Sequence, residues 1–140
     1  MSSKQHRLIH LLSLAQHRLV KNADTAFGEA IGISATQLGV LFLLQKKPGL
    51  MLKDVSDALG INASAITGLI GRMEDGGLVR RRPSNDDRRA VHLFATADGL
   101  AKATAVRPIL ARLNARLTED FNEREIATVA RFLNAILERF

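Results

Sequence analysis

The sequence contains no cysteine, no tryptophan and no tyrosine. Without cysteine there is no disulfide, thiol nucleophile, zinc–thiolate site or thiol redox sensor. Without tryptophan and tyrosine, stacking on unpaired bases would rest on six phenylalanines, which argues against an RNA or single-strand binder. No apolar run approaches the roughly 18 residues that a membrane span needs. The first residues, Met1 to Arg7, carry neither the apolar region nor the cleavage site of a signal peptide. The expectation is a cytoplasmic protein with no membrane partner. Catalytic signatures are missing too: there is no nucleophile motif, no phosphate loop and no paired ligands at metal spacing. His6 and His10 have the i,i+4 spacing of a chelating pair, with His17 two turns on, but no carboxylate joins them and they read as surface or interface histidines. The expectation is therefore no enzyme, no cofactor and no metal.

The chain has 140 residues, which fits one domain with a real core, and it is ordinary in composition, with 46% hydrophobic and 24% charged residues. Its net charge is +6 and its isoelectric point is near 10.5, which permits nucleic-acid binding. The positive charge is concentrated. Arg80, Arg81, Arg82, Arg88 and Arg89 place five arginines within ten residues.

Apolar periodicity organises the chain. Leu8, Leu11, Leu12, Ala15 and Leu19 predict a first helix from His6 to about Phe27, with Gly28 and Gly32 bracketing its exit. Ser34-Ala35-Thr36-Gln37 has the form of a capping box and opens a second helix with Leu38, Leu41, Phe42 and Leu44 inward; Pro48-Gly49 ends it. Leu52 to Leu59 reads as a third helix with Leu52, Val55, Ala58 and Leu59 on one face. After the tight turn Gly60-Ile61, a fourth helix runs to about Asp75 and buries Ile66, Leu69, Ile70 and Met73. Two short helices joined in this way fit a helix-turn-helix. Strands from Leu78-Val79 and from Val91-Leu93, with a turn at Pro83-Ser84-Asn85-Asp86, fit a β-hairpin wing. Thr96 caps a long fifth helix lined by Leu100, Ala103, Val106, Leu110, Leu113 and Leu117, which Pro108 should kink. Asn122 to Glu125 caps a sixth helix, with Ile126, Val129, Phe132, Leu133, Ile136 and Phe140 as its apolar stripe. The fold class is mainly α with a small β-hairpin wing. The winged helix-turn-helix lobe spans about residues 34–96, within a single domain of 1–140. Terminal helices, about 5–27 and 97–140, carry stripes long enough to favour an intertwined homodimer.

The fourth helix presents Ala63, Ser64, Thr67, Gly68, Gly71 and Arg72 opposite its buried stripe. Small residues let the backbone approach base edges, and Ser64 and Thr67 can bond bases or phosphates. Ser64 is open to two roles, helix cap or base contact. Arg72 fits a phosphate clamp or a partner for Glu74 or Asp75 better than a base reader. Arg80, Arg81 and Arg82 alternate along a strand and cannot all face one partner, so at least one packs on the domain or pairs with an acid.

These elements, in this order, resemble the MarR family of bacterial and archaeal transcription regulators. The resemblance rests on Gln37-Leu38-Gly39-Val40-Leu41, on Leu52 to Gly60, on Ser64 to Glu74 as recognition helix, on Gly77-Leu78-Val79-Arg80-Arg81 at the wing entry, on Asp87-Arg88-Arg89-Ala90-Val91 and on Thr96-Ala97-Asp98-Gly99. It implies a sequence-specific regulator bound to double-stranded DNA through Ala63, Ser64, Thr67, Gly68, Arg72, Arg81, Arg82, Asp87, Arg88 and Arg89. In the family's wing pattern Asp-x-Arg, here Asp87 and Arg89, the arginine enters the minor groove and the aspartate holds it. It also implies a homodimer on a pseudo-palindromic operator with half-sites about 10 base pairs apart, and a small aromatic or phenolic effector that relieves repression. Gly68 and Gly71 depart from the family, where larger and often charged residues stand. The rival expectations are a winged-helix module that binds protein, which the arginine-rich wing argues against, and a nonspecific architectural DNA-binding protein.

Overall fold

The computed structural model describes residues 7–84 and 90–140. Among these, seven helices and three strands follow in the order α1 (Leu8–Ile31), α2 (Ala35–Lys46), β1 (Leu50–Met51), α3 (Leu52–Leu59), α4 (Ala63–Asp75), β2 (Val79–Pro83), β3 (Val91–Ala95), α5 (Ala97–Ala105), α6 (Arg107–Thr118) and α7 (Glu123–Arg139). The chain divides into two compact units, residues 1–107 and 108–140.

In the first unit, α1 continues past Gly28 and stops only at Gly32, four residues beyond the expected end. Gly32 takes a left-handed φ of 70° and gives its N–H to the carbonyls of Phe27 and Gly28. Gly28 is simply a helical residue, a cost too small to break a helix with tertiary support. Lys102 of α5 donates from Nζ to the Ile31 carbonyl at 2.5 Å, placing a cation at the negative end of α1. The bend from α1 into α2 is 76°. Asp24 holds it by accepting the Ala35 N–H at 2.7 Å, and Ser34 and Gln37 complete the expected capping box.

The core of the lobe forms where the second helix is enclosed. Leu38, Val40, Leu41 and Leu44 of α2 are buried, together with Val55 of α3, all four expected residues of α4, and Leu78, Val79 and Leu93 of the wing base. Phe42 is only half-buried, and Val40 takes the inward place instead. On α3, Val55 is buried, Leu52 and Leu59 are half-buried and Ala58 is exposed. An alanine on the edge of the stripe has too little side chain to reach the core.

The sheet has three strands in the order β1-β3-β2, all antiparallel. The extra strand β1 pairs Leu50 with Leu93 and Met51 with His92. Thr96 locks the base of the wing. Its N–H donates to the Leu78 carbonyl, its hydroxyl donates to the Gly77 carbonyl at 2.6 Å, and its oxygen accepts the Gly99 N–H at 3.0 Å. Gly99 is needed here because α5 crosses the chain closely: a Cβ would stand 2.3 Å from the Leu78 carbonyl oxygen and 2.9 Å from a Leu41 methyl.

The expected long fifth helix is two helices. Its regular bonding ends at Val106, whose N–H donates to the Lys102 carbonyl, and Pro108 has no N–H to continue the ladder. In the second unit, α6 and α7 are joined by a short turn. The capping box of α7 is as expected, with Asn122 accepting from Glu125 N–H and Glu125 from Asn122 N–H. Among the described residues, no single helix is long and apolar enough to cross a membrane.

Candidate nucleic-acid interface

The helix-turn-helix is α3, the turn at Gly60–Asn62, and α4. Gly60 adopts a left-handed φ of 65° to end α3, and the Ile61 N–H donates to the Ser56 carbonyl while the Ser56 hydroxyl bonds the Ile61 carbonyl. The cap of α4 is Asn62: its Oδ1 accepts the Ala65 N–H at 2.9 Å and also the Ser64 hydroxyl at 3.0 Å. Ser64 is thus not the cap; it supports the cap from the first turn. The capped end leaves other N–H groups of the first turn open, with the positive end of the helix dipole behind them.

Ala63, Ser64, Thr67, Gly68 and Arg72 are all exposed on the face opposite Ile66, Leu69, Ile70 and Met73. Thr67 donates its hydroxyl proton to the Ala63 carbonyl at 2.8 Å. With both hydroxyl protons bound internally, Ser64 and Thr67 offer acceptor lone pairs and, for Thr67, a methyl group to whatever lies in front. Gly68 has a local consequence. A Cβ there would approach Arg72 Nη1 to 3.2 Å, so the missing side chain lets the Arg72 guanidinium lie back along the helix surface. Neither Glu74 nor Asp75 pairs with Arg72 among the described residues, because Glu74 is engaged elsewhere.

The partner of Glu74 is Arg81, whose Nε stands 3.4 Å from Glu74 Oε1. Both side chains are about one-third to two-fifths exposed, and the Nε is itself shielded without a well-aligned hydrogen bond. A pair this open contributes at most about 1 kcal/mol; its main effect is to set the wing against the end of α4. Arg81 is therefore the arginine that pairs with an acid. Arg82 lies on the opposite face of β2, together with Arg80, which sequence reasoning left off the site. The signal for Arg80 was present in the strand period: residues 80 and 82 share a face, and 81 does not. His92 is half-buried, and its Nδ1 lies 2.7 Å from the Gly49 carbonyl oxygen. Asp87, Arg88 and Arg89, the centre of the expected wing tip, lie outside the described residues.

One exposed helix face of small and polar residues, positioned by a tight turn beside a basic two-stranded ribbon, defines a winged helix-turn-helix protein. Comparison with known proteins makes the class specific. The model of the MarR family matches residues 31–90. The chain is 38% identical over 89 residues to the uncharacterized HTH-type transcriptional regulator YfiV of Bacillus subtilis, covering 64% of this chain and 56% of that one. It is 31% identical over 96 residues to the HTH-type transcriptional repressor MdtR of the same organism, covering 66% and 62%. The matched stretch thus spans less than two thirds of either relative. Among solved structures, the transcriptional repressor CouR bound to a 23-mer DNA duplex superposes with a TM-score of 0.85 at 27% identity, over 98% of this chain and 96% of that one. By sequence over residues 31–90 and by fold, the chain is similar to the MarR family of transcriptional regulators.

Proposed function

We propose that this protein acts as a homodimer on double-stranded DNA in the cytoplasm, binds a pseudo-palindromic operator, represses transcription by occluding it, and is released by a small effector. It is a binding protein and not an enzyme. The observation that carries the DNA half of this reading is the exposed face of α4. Ala63, Ser64, Thr67 and Gly68 allow close approach of the helix to base edges, and Arg72 lies beside them for a phosphate. The sequence between β2 and β3 adds Arg88 and Arg89 for the minor groove, with Asp87 to hold Arg89. Arg82 faces outward, and Arg81 serves by holding the wing to α4.

The dimer half rests on α1, α6 and α7. No residue of α6 or α7 is buried, and on α1 only Phe27 is. Leu8, Leu11, Leu19, Leu110, Leu117, Phe132 and Leu133 remain exposed at helical spacing, more apolar surface than a monomer ordinarily leaves open. A second copy of the chain covers these stripes, and its two-fold axis sets the half-sites about 10 base pairs apart. For the effector, an open groove of about 470 Å³ along α1 is lined by Arg18, Lys21, Asn22, Thr25, Ala26 and Glu29. Its two cations suit the carboxylate of an aromatic or phenolic acid.

Selection from a random duplex pool, followed by salt-titrated affinity on the winning sequence, tests this reading. A two-fold symmetric motif and a steep fall of affinity with salt are expected; failure to enrich any sequence would contradict it. On the selected duplex, Arg89→Ala should cost roughly 1–3 kcal/mol, and an unchanged affinity would remove Arg89 from the site.

A further inference from the structure

The outer face of the wing carries an arrangement that the fold does not need. Residues directly opposed in an antiparallel pair share a face. Arg80 opposes Phe94 and Arg82 opposes His92, so these four side chains lie together, on the face away from the one where Arg81 meets Glu74. Both guanidinium carbons stand 5.5 Å from the centroid of the Phe94 ring. The ring is seated on Gly49, where a Cβ would come within 3.4 Å of Phe94 Cζ, and the backbone of Gly49 has the positive φ of 86° that favours glycine. Gly49 is itself tied to the strand, since its N–H donates to the Leu93 carbonyl at 2.9 Å and its own carbonyl meets His92 Nδ1. The platform under the two arginines is therefore fixed on several sides.

Two cations gathered on one ring repel each other, and no carboxylate among the described residues pairs with either. Each gains from the ring's negative face, yet the pair as a whole gains most from an anion placed between them. The strand that carries them, β2, runs away from the end of α4 on the ribbon beside the recognition helix, so the anion in reach of a DNA-bound lobe is the sugar–phosphate backbone beyond the wing. We propose that Arg80 and Arg82, splayed on Phe94, form a phosphate clamp that extends the footprint of each lobe past its wing without reading bases. Phe94 is a positioning residue: it touches no phosphate but fixes where both guanidinium groups point. This proposal rests on the reading that the lobe binds duplex DNA.

The test is equilibrium binding across a salt series to the selected operator and to an unrelated duplex. The double variant Arg80→Gln/Arg82→Gln removes two exposed charges and should leave the thermal midpoint unchanged. It should weaken both complexes by the same factor, on the order of tenfold per arginine near 0.1 M salt, and should flatten the slope of log affinity against log salt by about 1.8 per lobe. Phe94→Leu keeps both charges, so it should lower affinity several-fold while preserving the slope. A parent protein with a steep slope and a double variant with the same slope would overturn the clamp and leave the DNA reading standing. A parent with no salt-dependent duplex binding would overturn both. A Phe94→Leu protein that binds like the parent would remove Phe94 from its positioning role.

Discussion

Two regions of this chain treat apolar surface in opposite ways. From α2 to the start of α5, the large apolar side chains turn inward, and Val40, Leu41, Val55, Ile70, Met73 and Leu93 are completely shielded. In α6 and α7 the apolar positions are as regularly spaced, yet Val129, Phe132 and Leu133 of α7 keep 42–47% of their surface exposed. The first half of α1 resembles α7 in this respect. Amphipathic spacing alone therefore does not tell whether a helix closes a core or awaits a partner. The lobe closes because short helices and a small sheet surround α2 on several sides. The end helices have no such enclosure, and the same pattern there fits the proposed interface with a second copy. The contrast matches the proposed division of labour, with a rigid reading head and helices that pair two such heads.

The largest effect should follow from forcing the lobe open at its tightest crossing. Gly99→Ala places a methyl group against the Leu78 carbonyl, a backbone atom that cannot swing aside. It should destabilise the protein by about 3 kcal/mol or more, seen as a lower midpoint in denaturant-induced loss of helical circular dichroism, and it should loosen the wing that Thr96 and Leu78 anchor. A midpoint equal to that of the parent would show that α5 can shift freely. A second substitution strikes the other region. Phe132→Glu on α7 should leave the lobe folded but raise the dimer dissociation constant at least about 30-fold, the factor corresponding to loss of a 2 kcal/mol hot spot. Sedimentation at a series of concentrations measures it, and an unchanged association state would place the interface elsewhere.

The smallest effect sharpens the comparison inside the lobe. Gly68→Ala adds a good helix former to an exposed helical position and should raise stability by up to about 1 kcal/mol. Its Cβ also displaces the Arg72 guanidinium, so operator affinity should fall while the melting temperature rises. A variant that gains stability and keeps full affinity would mean that the pose of Arg72 on Gly68 plays no part in binding.

Much of the fold was legible because its signals are local. The Ser34 to Gln37 capping box, the buried stripe of α4 and the cap at Asn122 each lie within a few residues of one another, where turn geometry and helical period leave little choice. What escaped depended on pairing across the chain. Strand β1 is two residues long, too short for any period, and exists only because Leu50 and Met51 meet Leu93 and His92. The placement of Arg80 beside Phe94 needed the register of the hairpin, which the sequence does not print. Gly49 read as a helix terminator, and its second role under the Phe94 ring is likewise a tertiary fact. The interruption at Val106 was visible in Pro108, which cannot continue the backbone ladder. The wing tip, with Asp87, Arg88 and Arg89, is carried by its sequence pattern alone.

The most direct test of the central claim is the mass of the complex formed on the selected duplex, measured by native mass spectrometry across protein concentrations. Two chains per duplex, appearing together with no single-chain intermediate, on a site whose halves lie about one helical turn apart, is the predicted result. One chain per duplex on an asymmetric site would contradict it, because the apolar faces of α1, α6 and α7 would then have no second copy to meet.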